Sequence, residues 1–84
     1  MTLYKFNKLS LPQQLLALEI NGARLDFRKQ DHYHVALFQM GSFYVEAYYP
    51  RESIHVEKLV AFTSTNKLKP YLERMNVSLL LYWG

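Results

Sequence analysis

The chain has 84 residues, half of them hydrophobic and 15% aromatic, with ten Lys and Arg against seven Asp and Glu for a net charge of +3. At this length one core is the most it can build, because so short a chain buries only roughly 60–65% of the surface it exposes when unfolded. The lack of cysteine excludes a disulfide framework and a thiolate zinc site, the apolar share excludes a disordered chain, and no apolar run approaches the ~20 residues of a membrane span.

In chain order, the opening Met1-Thr2-Leu3-Tyr4-Lys5-Phe6-Asn7-Lys8 has no continuous apolar stretch of the signal-peptide kind, so a cytoplasmic protein is expected. Residues 10–22 predict a helix. Ser10 is an N-cap, Gln13 completes a capping box, and Pro12 falls in the first turn, where its missing N–H does little harm. Leu11, Leu15, Leu16, Leu18 and Ile20 follow helical spacing, and Asn21-Gly22 supplies a left-handed stop. The period then changes to two: Ala23, Leu25 and Phe27 alternate with Arg24, Asp26 and Arg28, which reads as a half-buried strand.

Two longer strands follow, His32 to Met40 and Phe43 to Tyr49, joined by Gly41-Ser42 as a type II′ hairpin turn. Pro50–Ser53 reads as another turn, and Ile54 to Phe62 as a fourth strand. Thr63–Asn66 offers caps for a second helix through Leu68, Tyr71, Leu72 and Met75, with Pro70 near its start. Val77–Gly84 is an apolar tail. No repeat or linker divides the chain, so residues 1–84 read as a single domain. The expected fold class is α+β: a four-stranded antiparallel β-meander with two helices on one face, in the order α-β-β-β-β-α.

With Gly41-Ser42, the Pro50–Ser53 turn and a four-residue connection at Arg28–Asp31 all even in length, side-chain parity is preserved from strand to strand. One face then collects Ala23, Leu25, Phe27, His34, Ala36, Phe38, Met40, Phe43, Val45, Ala47, Tyr49, Ile54, Val56, Val60 and Phe62. That face is the expected core. Lys58 is its misfit and predicts a bulge or an edge position there. The other face carries Arg24, Asp26, Arg28, Tyr33, Val35, Leu37, Gln39, Tyr44, Glu46, Tyr48, His55, Glu57, Leu59 and Ala61.

A free sheet face is normally polar throughout, whereas this one mixes tyrosines and aliphatics with Arg and Glu, as interfaces do. The expected function is a small protein–protein interaction module, self-associating as a homodimer or binding another protein. Its interface would use Tyr33, Val35, Leu37, Tyr44, Tyr48 and Leu59, with Leu81 and Trp83 of the tail. The alternative is single-stranded nucleic-acid binding, with Tyr33, Tyr44 and Tyr48 stacking bases beside Arg24 and Arg28. Asp26, Glu46 and Glu57 on the same face oppose it, and the cations are scattered rather than gathered. A third reading is a ligand-binding or regulatory subunit of a larger complex.

Catalytic and metal patterns are poor. His32 and His34 share a strand face, but parity sends His55 to the other side, so no third ligand joins them. Ser42 is a turn residue, and no nucleophile–base pair, phosphate loop or acid pair is visible. No enzymatic activity, metal or cofactor is expected.

Phe43-Tyr44-Val45-Glu46-Ala47-Tyr48-Tyr49, and Ala61-Phe62-Thr63-Ser64-Thr65 leading to Leu68-Lys69-Pro70-Tyr71-Leu72, resemble small uncharacterised proteins of under a hundred residues common in Bacteroides-type bacteria. The likeness covers roughly residues 2–81, including the Leu-Tyr-Lys-Phe opening and Asn21-Gly22. Glu52 fits an acidic position of that pattern, while Lys69 stands where an acidic residue is frequent. The resemblance implies the same fold and attaches no activity to it.

Overall fold

The computed structural model describes residues 1–72; Met75 and the tail, including Leu81 and Trp83, lie outside the described residues. The elements in order are α1 (Leu3–Asn7), α2 (Leu11–Asn21), β1 (Ala23–Gln30), β2 (Tyr33–Met40), β3 (Phe43–Pro50) and β4 (Lys58–Phe62). A 3₁₀ turn (Thr65–Leu68) then runs into α3, described over Lys69–Leu72. The four strands form one antiparallel sheet in the order β1-β2-β3-β4. The α+β class and the meander are therefore as expected.

Local chemistry accounts for the helix starts. The Ser10 hydroxyl accepts from the Gln13 N–H at 3.4 Å while the Gln13 side chain accepts from the Ser10 N–H at 3.0 Å, a complete capping box. Earlier in the chain, Thr2 caps α1 by accepting from the Lys5 N–H, and Phe6 is carried into the core. Gly22 does not take the left-handed conformation expected of it. Its backbone is extended (φ −81°, ψ 140°), and its N–H reaches the Leu18 carbonyl at 2.8 Å. A Cβ there would lie 2.5 Å from that same carbonyl oxygen, so the position needs glycine for space, not for handedness.

The hairpins are tight. Gly41 has φ +68° in the two-residue turn between Met40 and Phe43, as a type II′ turn requires of its first residue. Between β1 and β2 the connection is Asp31-His32 rather than the expected Arg28–Asp31, with Asp31 at φ +49°. Two and four are both even, so the facing of Phe27 is unchanged.

Parity breaks at two other places. A bulge between Arg24 and Asp26 leaves Leu25 as the extra residue, so Arg24 pairs with Phe38 and shares its face, while Ala23 moves to the opposite one. The second break is the connection from β3 to β4, which runs over seven residues, 51–57, not four. An odd offset inverts the strand: Ala61 pairs with Val45 and Leu59 with Ala47, while Phe62 pairs with Tyr44 and Val60 with Glu46. Val60 and Phe62 thus leave the face expected of them, and Leu59 and Ala61 enter it. Of the two expectations for Lys58 the edge position is met: it begins β4, an edge strand of the sheet, with its side chain exposed, and no bulge is needed.

Burial follows these corrected faces. On what we term the helix face, Phe6 and Leu18 pack on Met40, Phe43 and Val45, bordered by Leu3, Ala17, Phe38, Leu59 and Ala61; the Phe6 and Phe43 rings meet at 5.5 Å. On the opposite, tyrosine face, Tyr71 and Leu68 of the C-terminal helical segment pack with Leu37, Phe62 and Tyr44. This segment lies across the sheet from α1 and α2, not beside them. Helical segments therefore pack on both sides of the sheet.

Candidate functional site

The tyrosine face is organised in rows set by strand pairing. Arg28, Val35, Tyr48 and Lys58 stand side by side, and the next row holds Asp26, Leu37, Glu46 and Val60. Its centre is closed. Val35 is fully buried and Leu37 nearly so, and Glu46 is only 4% exposed. This corrects the expectation of an open face presenting Val35 and Leu37.

Burying a carboxylate is costly unless charge and hydrogen bonds compensate it, and the neighbours of Glu46 supply both. Its Oε2 accepts from the Arg28 guanidinium at 2.9 Å and from the Tyr71 hydroxyl at 2.6 Å; its Oε1 accepts from the Tyr48 hydroxyl at 3.4 Å. The Arg28 guanidinium also lies over the Tyr71 ring, 5.3 Å from its centre. Burial works against the Arg28 cation, but hydrogen bonding to Glu46 and the neighbouring Tyr71 outweigh it and hold its pKa above the usual value. Burial first, and then the hydrogen bond to Glu46, push the Tyr71 hydroxyl well above the ordinary tyrosine range. Tyr48 moves the same way, again mainly through burial. Arg28 Nε is buried and makes no hydrogen bond. The network ties β1, β3 and α3 together around one carboxylate.

At the end of the same face Tyr33 and Tyr48 meet edge to face at 5.5 Å. The Lys58 ammonium lies over both rings, 4.7 Å from that of Tyr48, and the Tyr33 hydroxyl donates to Glu57, which raises its pKa. Tyr44 stacks on Phe62. Each of these aromatics already has a partner within the chain.

The residues considered for nucleic acid are not gathered on one platform. Arg28 is paired in the network just described, Arg24 is on the helix face, and Tyr44 is separated from Tyr33 and Tyr48 by the Glu46 row. Leu59 likewise sits on the helix face, under α1 and α2. Among the described residues, no group of three His, Asp or Glu is placed to hold a metal ion, and no helix is long and apolar enough to cross a membrane. His34 packs against Phe27 at 5.3 Å, while His32 is an exposed turn residue.

The feature that parity did not anticipate is on the helix face. Phe6 of α1 and Leu18 of α2 pack at the Met40–Phe43 end of the sheet, and the other half of that face is left as a groove. Arg24, Phe27, His34, Ala36, Tyr49 and Ile54 line a volume of about 330 Å³. It continues past Phe38 and Tyr49 into a second hollow of about 250 Å³ against Leu15, Leu18 and Glu19 of α2. Ile54 is 90% exposed, and Leu16 and Ile20 stand exposed on α2, further round the helix from Leu15 and Glu19. Phe27, His34, Ala36, Phe38, Tyr49 and Ile54 are expected in the core and Leu15 and Leu18 on the helix, whereas Arg24 and Glu19 carry no sequence signal that brings them to this groove.

The chain matches no family model, and comparison with curated proteins and with solved structures finds no match either. These comparisons leave the resemblance described above where it stood.

Proposed function

We propose that this chain is a small protein-interaction module that works as a homodimer, and that its contact surface is the groove half of the helix face. The observation that carries this reading is a hollow lined largely by apolar side chains, Phe27, Ala36, Phe38 and Tyr49 among them, with Ile54 beside them at 90% exposure. Single exposed apolar residues need no explanation, but a contiguous apolar surface rimmed by polar groups is the mark of a contact site. Arg24 and Glu19 provide such a rim. The tyrosine face supports the reading less well, since its aliphatic residues are spent within the fold.

Sedimentation equilibrium over the micromolar range tests the proposal. A dimer that dissociates on Ile54→Glu, with the circular-dichroism spectrum unchanged, supports it. A wild-type chain that stays monomeric throughout overturns it.

A further inference from the structure

The rim of the groove carries two charges of opposite sign that form no ion pair among the described residues. Arg24 is set there by the bulge in β1, which turns it onto the Phe38 side of the sheet; its guanidinium rests over the Phe27 ring, 5.4 Å from the centre. Glu19 stands on the last turns of α2, beside Leu15 and facing Phe38 and Tyr49. Among the described residues the one ion pair is Arg28 with Glu46, so neither Arg24 nor Glu19 is committed to a partner of opposite charge. Phe38 lies between them, lining both hollows.

A cation on the strand side and an anion on the helix side of one apolar hollow make a self-complementary surface. In a twofold dimer each contact occurs twice, residue i against j and j against i. Such an arrangement suits a single Arg24/Glu19 couple, because one rotation pairs both charges of both copies. Like charges brought together across an interface would instead repel.

We infer that the occupant of the groove is a second copy of this chain, docked about a twofold axis with Arg24 of each copy against Glu19 of the other. The inference rests on the homodimer reading and adds its orientation. The apolar floor provides the bulk of the contact; the two reciprocal ion pairs fix its direction and select this chain over other apolar partners.

The test is sedimentation equilibrium of the full chain as wild type, Arg24→Glu, Glu19→Arg and the double reversal, with circular dichroism to confirm the fold. Both side chains are exposed, so the fold should survive each change. Each single reversal should weaken the dimer by about tenfold, as two attractive pairs become two repulsive ones. The double reversal should return it to within about threefold of wild type. Wild-type association should also weaken as salt is raised, a readout that requires no variant. A dimer indifferent to the reversals and to salt, or a double variant no better than the singles, overturns the orientation while leaving the dimer intact. A wild-type monomer overturns both.

Discussion

Arg28 and Glu46 stand on strands that are not neighbours, yet the guanidinium Nη2 lies 2.9 Å from the carboxylate Oε2. The arginine side chain reaches across β2, over the face that carries Val35 and Leu37, to join β1 to β3. Strands two apart are separated by roughly 9.5 Å, a span an arginine can cover and an aspartate or serine cannot.

Removing the carboxylate should therefore be severe. Glu46→Ala leaves the Arg28 charge buried without its partner and strands the Tyr71 hydroxyl, a change expected to cost about 3–5 kcal/mol. In a domain whose total stability is on the order of 5–15 kcal/mol, chemical denaturation should show a large drop in midpoint or a chain unfolded in buffer. A loss below about 1 kcal/mol would mean that the ion pair is not closed in as described.

Tyr71→Phe removes one donor and keeps the ring. It should cost about 1–3 kcal/mol and alter the response to alkali. The Tyr71 hydroxyl is held above its ordinary value of 10.0, so its contribution to stability is intact below about pH 10 and is lost as pH rises through the higher folded value. Wild-type stability should fall above about pH 10, and the fall should be shallower in Tyr71→Phe. Denaturation series at several alkaline pH values, with tyrosinate absorbance followed in parallel, check both parts.

Leu37→Glu and Ile54→Glu make a contrasting pair. Leu37 is buried between the sheet and Tyr71, so the charge should unfold the protein or cost several kcal/mol. Ile54 is exposed within the chain, so at concentrations too low for association the same change should shift stability by no more than about 0.5 kcal/mol. Thermal melts separate them; equal effects would contradict the assignment of faces.

Gly22→Ala tests the junction of α2 with β1. The added methyl would meet the Leu18 carbonyl oxygen, which is backbone and has little freedom to retreat. A loss of about 1–3 kcal/mol is expected, although alanine is the better residue within a helix by propensity. An unchanged melting temperature would show that the junction can relax.

Much of this architecture is legible in the residues themselves. Ser10 and Gln13 announce α2, and Gly41-Ser42 announces the central hairpin, whose two-residue length is enough to set β2 against β3 in register. Other features leave no such trace. Ala23-Arg24-Leu25-Asp26-Phe27 alternates as perfectly as an unbroken strand, so the bulge at Leu25 is invisible to periodicity. The residues 51–57 include Ile54 and Val56, whose apolar alternation resembles a strand although the chain there is a connection. Treating them as strand turned β4 over. Glu46 reads as a solvent-facing charge, and only the arrival of Tyr71 from more than twenty residues away makes it internal. The helix α1, five residues long, is too short to show a period. The groove was hidden for a different reason: apolar pattern identifies which side chains face a helix layer, not whether that layer covers them.

The placement of two donors on a single Glu46 oxygen has a consequence for the folding reaction. Arg28 comes from 18 positions before Glu46 and Tyr71 from 25 positions after it, so the centre is assembled entirely from distant segments. A state holding only the first three strands would leave the carboxylate and guanidinium on an open face without the phenol, and a state with α3 docked on an incomplete sheet would cover the carboxylate without the guanidinium. The first forgoes the burial that completes the centre, and the second bears the desolvation of a charge with part of its compensation missing. Such penalties raise the energy of partial structures relative to the complete one, and so press the chain toward a single concerted transition. The same carboxylate that would look like a defect in a static inventory of buried charges acts, in time, as the point at which the two ends of the chain must agree.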